Sequence, residues 1–195
     1  MTDPAALVCD FVNSYDVESG TDALPSPEAL TAWLARRGLA RADDAAGDEE
    51  LAVAVAFREA LRAALRANHP QGPGGGADGG RDEGAGGPDG APPLPHVLDR
   101  LPVTVVLTAG GPVLEPVATG APGGLARIAA AVVEVRVAGL WPRLKVCTES
   151  TCQWAFVDSS KNRSRSWCSM KVCGNRTKTR AYRARRQSGT GSRHL

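Results

Sequence analysis

At 195 residues, with a hydrophobic fraction of 43%, the chain suffices for one ordinary domain plus a small appendage. Aromatic residues are scarce at 5% while Gly (22) and Pro (14) abound, so part of the chain must be loop. No run of apolar residues is long enough to span a membrane, and Met1-Thr2-Asp3-Pro4 lacks the basic and apolar regions of a signal peptide, so a cytoplasmic location is expected.

Leu7 to Tyr15 is a short apolar segment interrupted by Asp10 and Asn13, and its period does not separate helix from strand. Residues 26–38 read as a helix capped by Ser26, with Pro27 in the first turn and Gly38 at the end. Residues 48–67 read as a longer helix with Asp48 as cap, Glu49 and Glu50 at its positive end, and an apolar stripe of Leu51, Ala54, Val55, Leu61 and Leu65. Residues 70–93 hold ten Gly and five Pro, the composition of a flexible loop inside one domain. Val103–Leu107, Gly110-Gly111 and Val113–Ala118 predict a β-hairpin. A further helix is expected over 123–140, with Leu125, Ile128, Val132, Val135 and Leu140 on its stripe, and Trp141-Pro142 follow it. The segment from Ser188 to Leu195 reads as a disordered tail.

Four of the five cysteines lie close together as two C-x4-C pairs, Cys147/Cys152 and Cys168/Cys173. Two pairs on tight turns supply the four soft ligands of a tetrahedral zinc, one structural ion, while closing a single modest loop. Trp154, Phe156 and Val157 resemble a strand, and a helix starting near Ser169 would point its positive end at the second pair. Lys145, Arg165 and Lys171 lie close in sequence and would offset the charge of four thiolates. A segment this short has too little apolar mass to fold unaided, and metal can contribute roughly 10–16 kcal/mol. Disulfides are disfavoured in the cytosol, a redox dithiol more often has C-x-x-C spacing, and an iron–sulfur cluster needs the same four thiolates. No free ligand position and no His or Glu beside the cysteines suggests catalysis.

Charge is distributed unevenly. Between Arg143 and Arg186 stand twelve Lys/Arg against two acids, Glu149 and Asp158, whereas the remainder carries eleven basic and nineteen acidic residues. An acidic body with a basic end points to a polyanionic partner, with nucleic acid first. Arg176, Arg180 and Arg183 share one face of the last helix, with Lys178 and Arg185 nearly opposite and Arg186 beyond, and Lys161, Arg163 and Arg165 form a second basic strip. Asn175 could read a base edge or brace the zinc loop. The competing reading is a solvated helix, or one docked on the acidic body.

The run Trp167-Cys168-Ser169-Met170-Lys171-Val172-Cys173-Gly174-Asn175-Arg176 resembles the hallmark of the CGNR zinc-finger family. Phe156-Val157-Asp158 and the stretch from Lys178 to Arg186 are similar to its pattern too. In that family the finger follows a domain called ABATE, whose opening motif is similar to Cys9-Asp10-Phe11-Val12-Asn13-Ser14, although a leucine after the cysteine is missing here. The resemblance implies a regulator of transcription under stress.

An α+β protein is therefore expected. Residues 1–142 would form a helix-rich, ABATE-like domain with a small antiparallel hairpin. Residues 143–187 would form a treble-clef-like zinc module with four cysteine ligands, ending in a basic helix. The expected function is zinc-dependent, DNA-binding regulation without catalysis, the alternative being a zinc-dependent protein- or RNA-interaction module. In the first domain Asn13 and Arg58 could form a polar pocket for a small anionic effector, against the alternative of an internal Asp10–Arg58 salt bridge, and Arg136 also falls on an apolar stripe and needs a partner. Cys9 reads as a buried apolar residue, and His69, His96 and His194 suggest no site. DNA, a small-molecule effector and a second copy of the chain are the candidate partners.

Overall fold

The computed structural model describes residues 3–69 and 92–189, without the side chains of residues 184 and 187–189. The Gly/Pro-rich loop expected at 70–93 lies outside the described residues except for its last two, and so does most of the expected tail.

The segment left ambiguous by its period is helix α1, Pro4–Val12, because Asp3 accepts from the Ala5 N–H and Pro4 fits the first turn. A tight hairpin follows, β1 (Tyr15–Asp16) against β2 (Thr21–Asp22). Helix α2, Pro27–Arg36, is capped by Ser26 as expected. Helix α3 runs Asp48–Arg66, but its cap is Gly47, not Asp48; the Glu50 carboxylate reaches back to accept from the Gly47 N–H at 2.8 Å. The short α4, Leu94–Leu98, precedes β3 (Val103–Thr108) and β4 (Gly111–Pro116), which pair antiparallel as predicted. Helix α5 spans Gly120–Val137 and stops short of the expected end, since Gly139 takes a left-handed conformation at φ 68°. Its Gly-rich start has a packing reason: a Cβ at Gly123 would fall 2.4 Å from the Ala118 carbonyl oxygen. A 3-10 turn, Trp141–Arg143, leads into β5 (Leu144–Val146) and its antiparallel partner β6 (Ala155–Val157). The last element among the described residues is α6, Asn175–Gly189.

Helix α5 buries one broad face, including Leu125, Ile128, Val132 and Val135, and packs against α1, α2 and α3. Phe11 of α1 sits edge-on to Trp33 at 5.6 Å and tilted to Phe57 at 5.4 Å, which joins three helices at one point. The core face of α3 is Val53, Ala54, Phe57, Leu61 and Leu65; Leu51 and Val55, expected on the stripe, are only half-buried. The same core takes in Leu144, Val146 and Ala155, so the first hairpin of the cysteine segment belongs to the body's core as well.

Three polar expectations change. Arg58 is buried, but its fork meets Asp22 at 2.7 and 3.0 Å and its Nε donates to Glu59, while Asp10 is exposed and pairs with Arg37 at 3.7 Å. Arg136 is exposed and lies 4.2 Å above the Trp141 ring. Asn13 clamps β6: its Nδ2 donates to the Ala155 carbonyl at 3.0 Å and its Oδ1 accepts from the Ala155 N–H at 2.7 Å.

Asn13 and Arg58 thus spend these groups inside the protein, 142 residues apart in one case, so the effector pocket expected from them is not formed by this pair. Cys9 is buried as expected, and burial pushes its thiol up to about 12. Replacing Asn13 by Ala should cost about 2–4 kcal/mol, since two backbone groups of Ala155 lose their partners. Thermal unfolding of the zinc-loaded chain measures this, with a conservative surface change such as Arg41→Lys as the neutral control.

Candidate metal centre and its basic helix

The hairpin β5–β6 bonds across Lys145 and Phe156, which turns the backbone groups of Leu144, Val146 and Ala155 outward. The body satisfies all three. Asn13 takes Ala155; Asn68 Nδ2 donates to the Leu144 and Trp141 carbonyls, both at 2.8 Å; the His69 ring Nε2 lies 2.6 Å from the Val146 carbonyl. Sequence reading gave His69 no role; its signal, a ring at the end of α3, is legible only once the hairpin edge lies beside it.

The hairpin's turn carries Cys147 and Cys152. Cys147 N–H donates to the Trp154 carbonyl, and Gln153 adopts φ 51°, a left-handed residue that tightens the turn. Cys168 and Cys173 come from the other side, the latter in a π-helical turn, Met170–Gly174, whose cap is Ser169, accepting from the Val172 N–H. The four sulfurs lie within 4.8 Å of one another, with Cys152–Cys168 at 3.6 Å and Cys168–Cys173 at 3.7 Å. A tetrahedron with metal–sulfur bonds of about 2.3 Å has edges near 3.8 Å, so the set fits one zinc. Without a cation, burial pushes the Cys152 thiol up to about 11 and the Cys168 thiol higher still, so metal binding must displace protons.

Lys145 does not face the thiolates as expected. It is fully buried and donates to Asp158 Oδ2 at 2.8 Å and to the carbonyls of Arg163 and Arg165. Burial alone would raise the Asp158 pKa, but the Lys145 ammonium and hydrogen bonds from Ser160 and Arg165 outweigh it and hold the carboxyl well below its usual range. This pair anchors the loop that delivers Cys168. Arg165 braces the same loop: its Nε donates to the Trp167 carbonyl at 2.8 Å, its Nη2 donates to the Cys168 carbonyl, and its guanidinium lies 4.9 Å from the Phe156 ring.

Glu149 stands between the first two cysteines and is almost fully buried. Its carboxylate meets Arg180 at 2.9 Å and the Thr177 hydroxyl at 2.9 Å, both on α6, and the Thr151 hydroxyl at 3.2 Å. Burial would raise its pKa, but these hydrogen bonds and the Arg180 charge prevail and lower it. Arg176 reaches Glu18 of the body at 2.8 Å. Asn175 donates to the Lys171 carbonyl at 3.0 Å, the bracing role. A Cβ at Gly174 would sit 2.5 Å from the Met170 sulfur and 3.4 Å from the Trp167 ring, so a side chain there would require Met170 to move. Of the residues predicted to contact nucleic acid, then, Arg165, Asn175, Arg176 and Arg180 hold the module together or tie it to the body. Lys161, Arg163, Lys178, Arg183, Arg185 and Arg186 are exposed, Arg186 lying 5.9 Å from the Tyr182 ring. Glu149 was missed because in sequence it reads only as one of two acids in a basic stretch.

Residues 143–186 match the family model described as "CGNR zinc finger", which with the sulfur cluster assigns this centre one structural zinc. Residues 5–139 match the ABATE model, described as "Putative stress-induced transcription regulator". No curated protein matches the chain. No helix among the described residues is long and apolar enough to cross a membrane.

Metal analysis of the purified chain should give one zinc per chain, and Cys168→Ser should lose it. Lys145→Ala, which strands a buried carboxylate, should destabilise by about 3–5 kcal/mol, while a Lys145→Met/Asp158→Leu double variant should recover only part of that, because the Ser160 and Arg165 N–H groups lose their acceptor. Chemical denaturation of the three proteins decides it.

Proposed function

Because the chain belongs to the ABATE family and ends in a CGNR zinc finger, we propose that it is a DNA-binding transcriptional regulator. In this reading zinc shapes a basic head that contacts DNA, and the N-terminal domain senses a small ligand. The observation that carries it is the exposed basic set on and beside α6: Lys161, Arg163, Lys178, Arg183, Arg185 and Arg186. A helix with this composition cannot be buried, and its cations suit the phosphate backbone, where neutralised phosphates release counterions. The docking of Arg176 on Glu18 and Arg180 on Glu149 supports the same reading, because it fixes the angle at which α6 leaves the body. Phosphate contacts position a protein, and base contacts specify sequence. The exposed set accounts for the first of these. The proposal includes no catalytic step, since four protein thiolates fill all four positions of a tetrahedral zinc.

Fluorescence anisotropy with duplex DNA over a salt series tests the proposal. Log affinity should fall linearly with log salt, and Lys178→Ala/Arg183→Ala should flatten the slope by about 2 while zinc content stays unchanged. Salt-independent affinity, or an unchanged slope in the double variant, would count against DNA and for a protein partner. Selection of bound genomic fragments then separates specific from non-specific binding.

A further inference from the structure

The hairpin β3–β4 is a sheet of two strands, and among the described residues neither of its outer edges meets another strand. Which backbone groups face those edges follows from its ladder. The Val117 N–H donates to the Pro102 carbonyl at 3.1 Å, and these two residues stand opposite each other in the register that sets Val103 against Pro116. In an antiparallel pair every second opposed couple exchanges its hydrogen bonds. The bonded couples are therefore Thr104/Glu115, Val106/Val113 and Thr108/Gly111. The N–H and C=O groups of Val103, Val105 and Leu107 point away from β4, and those of Pro112, Leu114 and Pro116 point away from β3.

The two edges are not equivalent. Pro112 and Pro116 have no N–H to offer, and Glu115 adds a charge between Leu114 and Pro116. That edge is closed to a further strand. By contrast β3, Val-Thr-Val-Val-Leu-Thr, has no proline, no charge and no bulge. The outward groups of Val103, Val105 and Leu107 have no hydrogen-bond partner among the described residues. The side chains agree with the backbone. Val103 packs against the core at the base of the hairpin, but Val105 and Leu107, on the same face, are 62% and 83% exposed. An apolar edge without such guards is a template for another strand.

We propose that β3 pairs with β3 of a second copy of this chain, antiparallel about a two-fold axis at Val105, so that two hairpins form one four-stranded sheet. The strand is complementary to itself. The outward residues Val103, Val105 and Leu107 are spaced evenly about Val105, so the axis sets Val105 against its own copy and Val103 against Leu107 of the partner subunit. Each couple aims its N–H and C=O at the other and exchanges two hydrogen bonds. A two-fold axis also sets each residue on it against its like, and β3 carries no charge to repel its copy. An acidic or basic segment of another protein would find no complementary charge along this strand. The pairing covers Leu107, the most exposed side chain of the hairpin, with Val103 of the partner subunit, at the rim of that copy's core. A dimer carries two basic helices, so DNA bound by one raises the effective concentration of the other. That consequence rests on the DNA reading, whereas the pairing does not.

The test is sedimentation equilibrium of the zinc-loaded full chain in the absence of DNA, which should show a reversible monomer–dimer equilibrium. Val105→Lys and Val105→Glu each set like charges together at the axis and should weaken the dimer at least tenfold. An equimolar mixture of the two variants should restore it as a heterodimer. Val137→Lys, at an exposed apolar position on α5, should leave the dimer unchanged. Circular dichroism and zinc content establish that each variant is folded, and Leu107→Lys should give the same loss where a Val105 variant does not fold. Amide exchange followed by NMR supplies a second readout. The N–H groups of Val103, Val105 and Leu107 should exchange more slowly as concentration rises, while those of Thr104, Val106 and Thr108, already bonded to β4, should not respond. A chain that stays monomeric up to millimolar concentration overturns the proposal. So does a dimer indifferent to Val105→Lys, a pair of variants that stays apart on mixing, or outward amides whose exchange ignores concentration. Failure here leaves the DNA reading standing, and a failed salt series leaves this pairing standing.

Discussion

The hairpin β5–β6 is the constraint on which the rest of the molecule depends. Two strands of three residues each are not stable in water by themselves. Here the hairpin is completed on every side. Leu144, Val146 and Ala155 point into the body's core, Asn13, Asn68 and His69 occupy its outward backbone groups, and its turn holds two of the four cysteines. The zinc centre is therefore not an appendage on a linker. One end of a single hairpin is a core element and the other is half of a metal site, so an unfavourable change at either end is felt at both.

Electrostatics follows from that placement. The sequence divides into an acidic body and a basic end. Glu18 of the body takes Arg176, while Glu149, inside the basic end, takes Arg180. The two contacts differ in weight. Glu18 is partly exposed, so its pair is screened and worth little. Glu149 is buried against α6 and also holds Thr177, so removing its partner would strand a charge. Glu149 is thus the residue that fixes α6 on the knuckle, while the outer cations of the helix stay exposed.

Much of this was legible in the sequence, for identifiable reasons. The four ligands could be read because two cysteine pairs at short spacing match the ligand pattern of a structural zinc site. The hairpin β3–β4 and the helices α2, α3 and α5 followed from caps, glycines and period, with errors at the ends where Gly47 and Gly139 act. What failed was the partnering of polar groups. Arg58 has Asp22 and not Asp10, Lys145 has Asp158 and not the thiolates, and Asn13 serves a strand far along the chain. Such pairings are set by tertiary packing, and local pattern carries no information about which of several acids a buried cation will meet. The misplacing of Val55 has a related cause. A helix with two apolar faces gives the same periodic signal as one with a broad single face.

The same helix bears on how the two halves are joined. Helix α3 packs against β5 in the core, and its C-terminal end and the turn after it hydrogen-bond the zinc module through Arg66, Asn68 and His69. Its remaining length either packs in the core or lines an open cleft. The body and the metal site are thus joined directly, by core packing and hydrogen bonds, with no linker between them. The Arg66 contact falls on Gln153, which is adjacent to a zinc ligand and sits in a left-handed backbone conformation that its surroundings maintain.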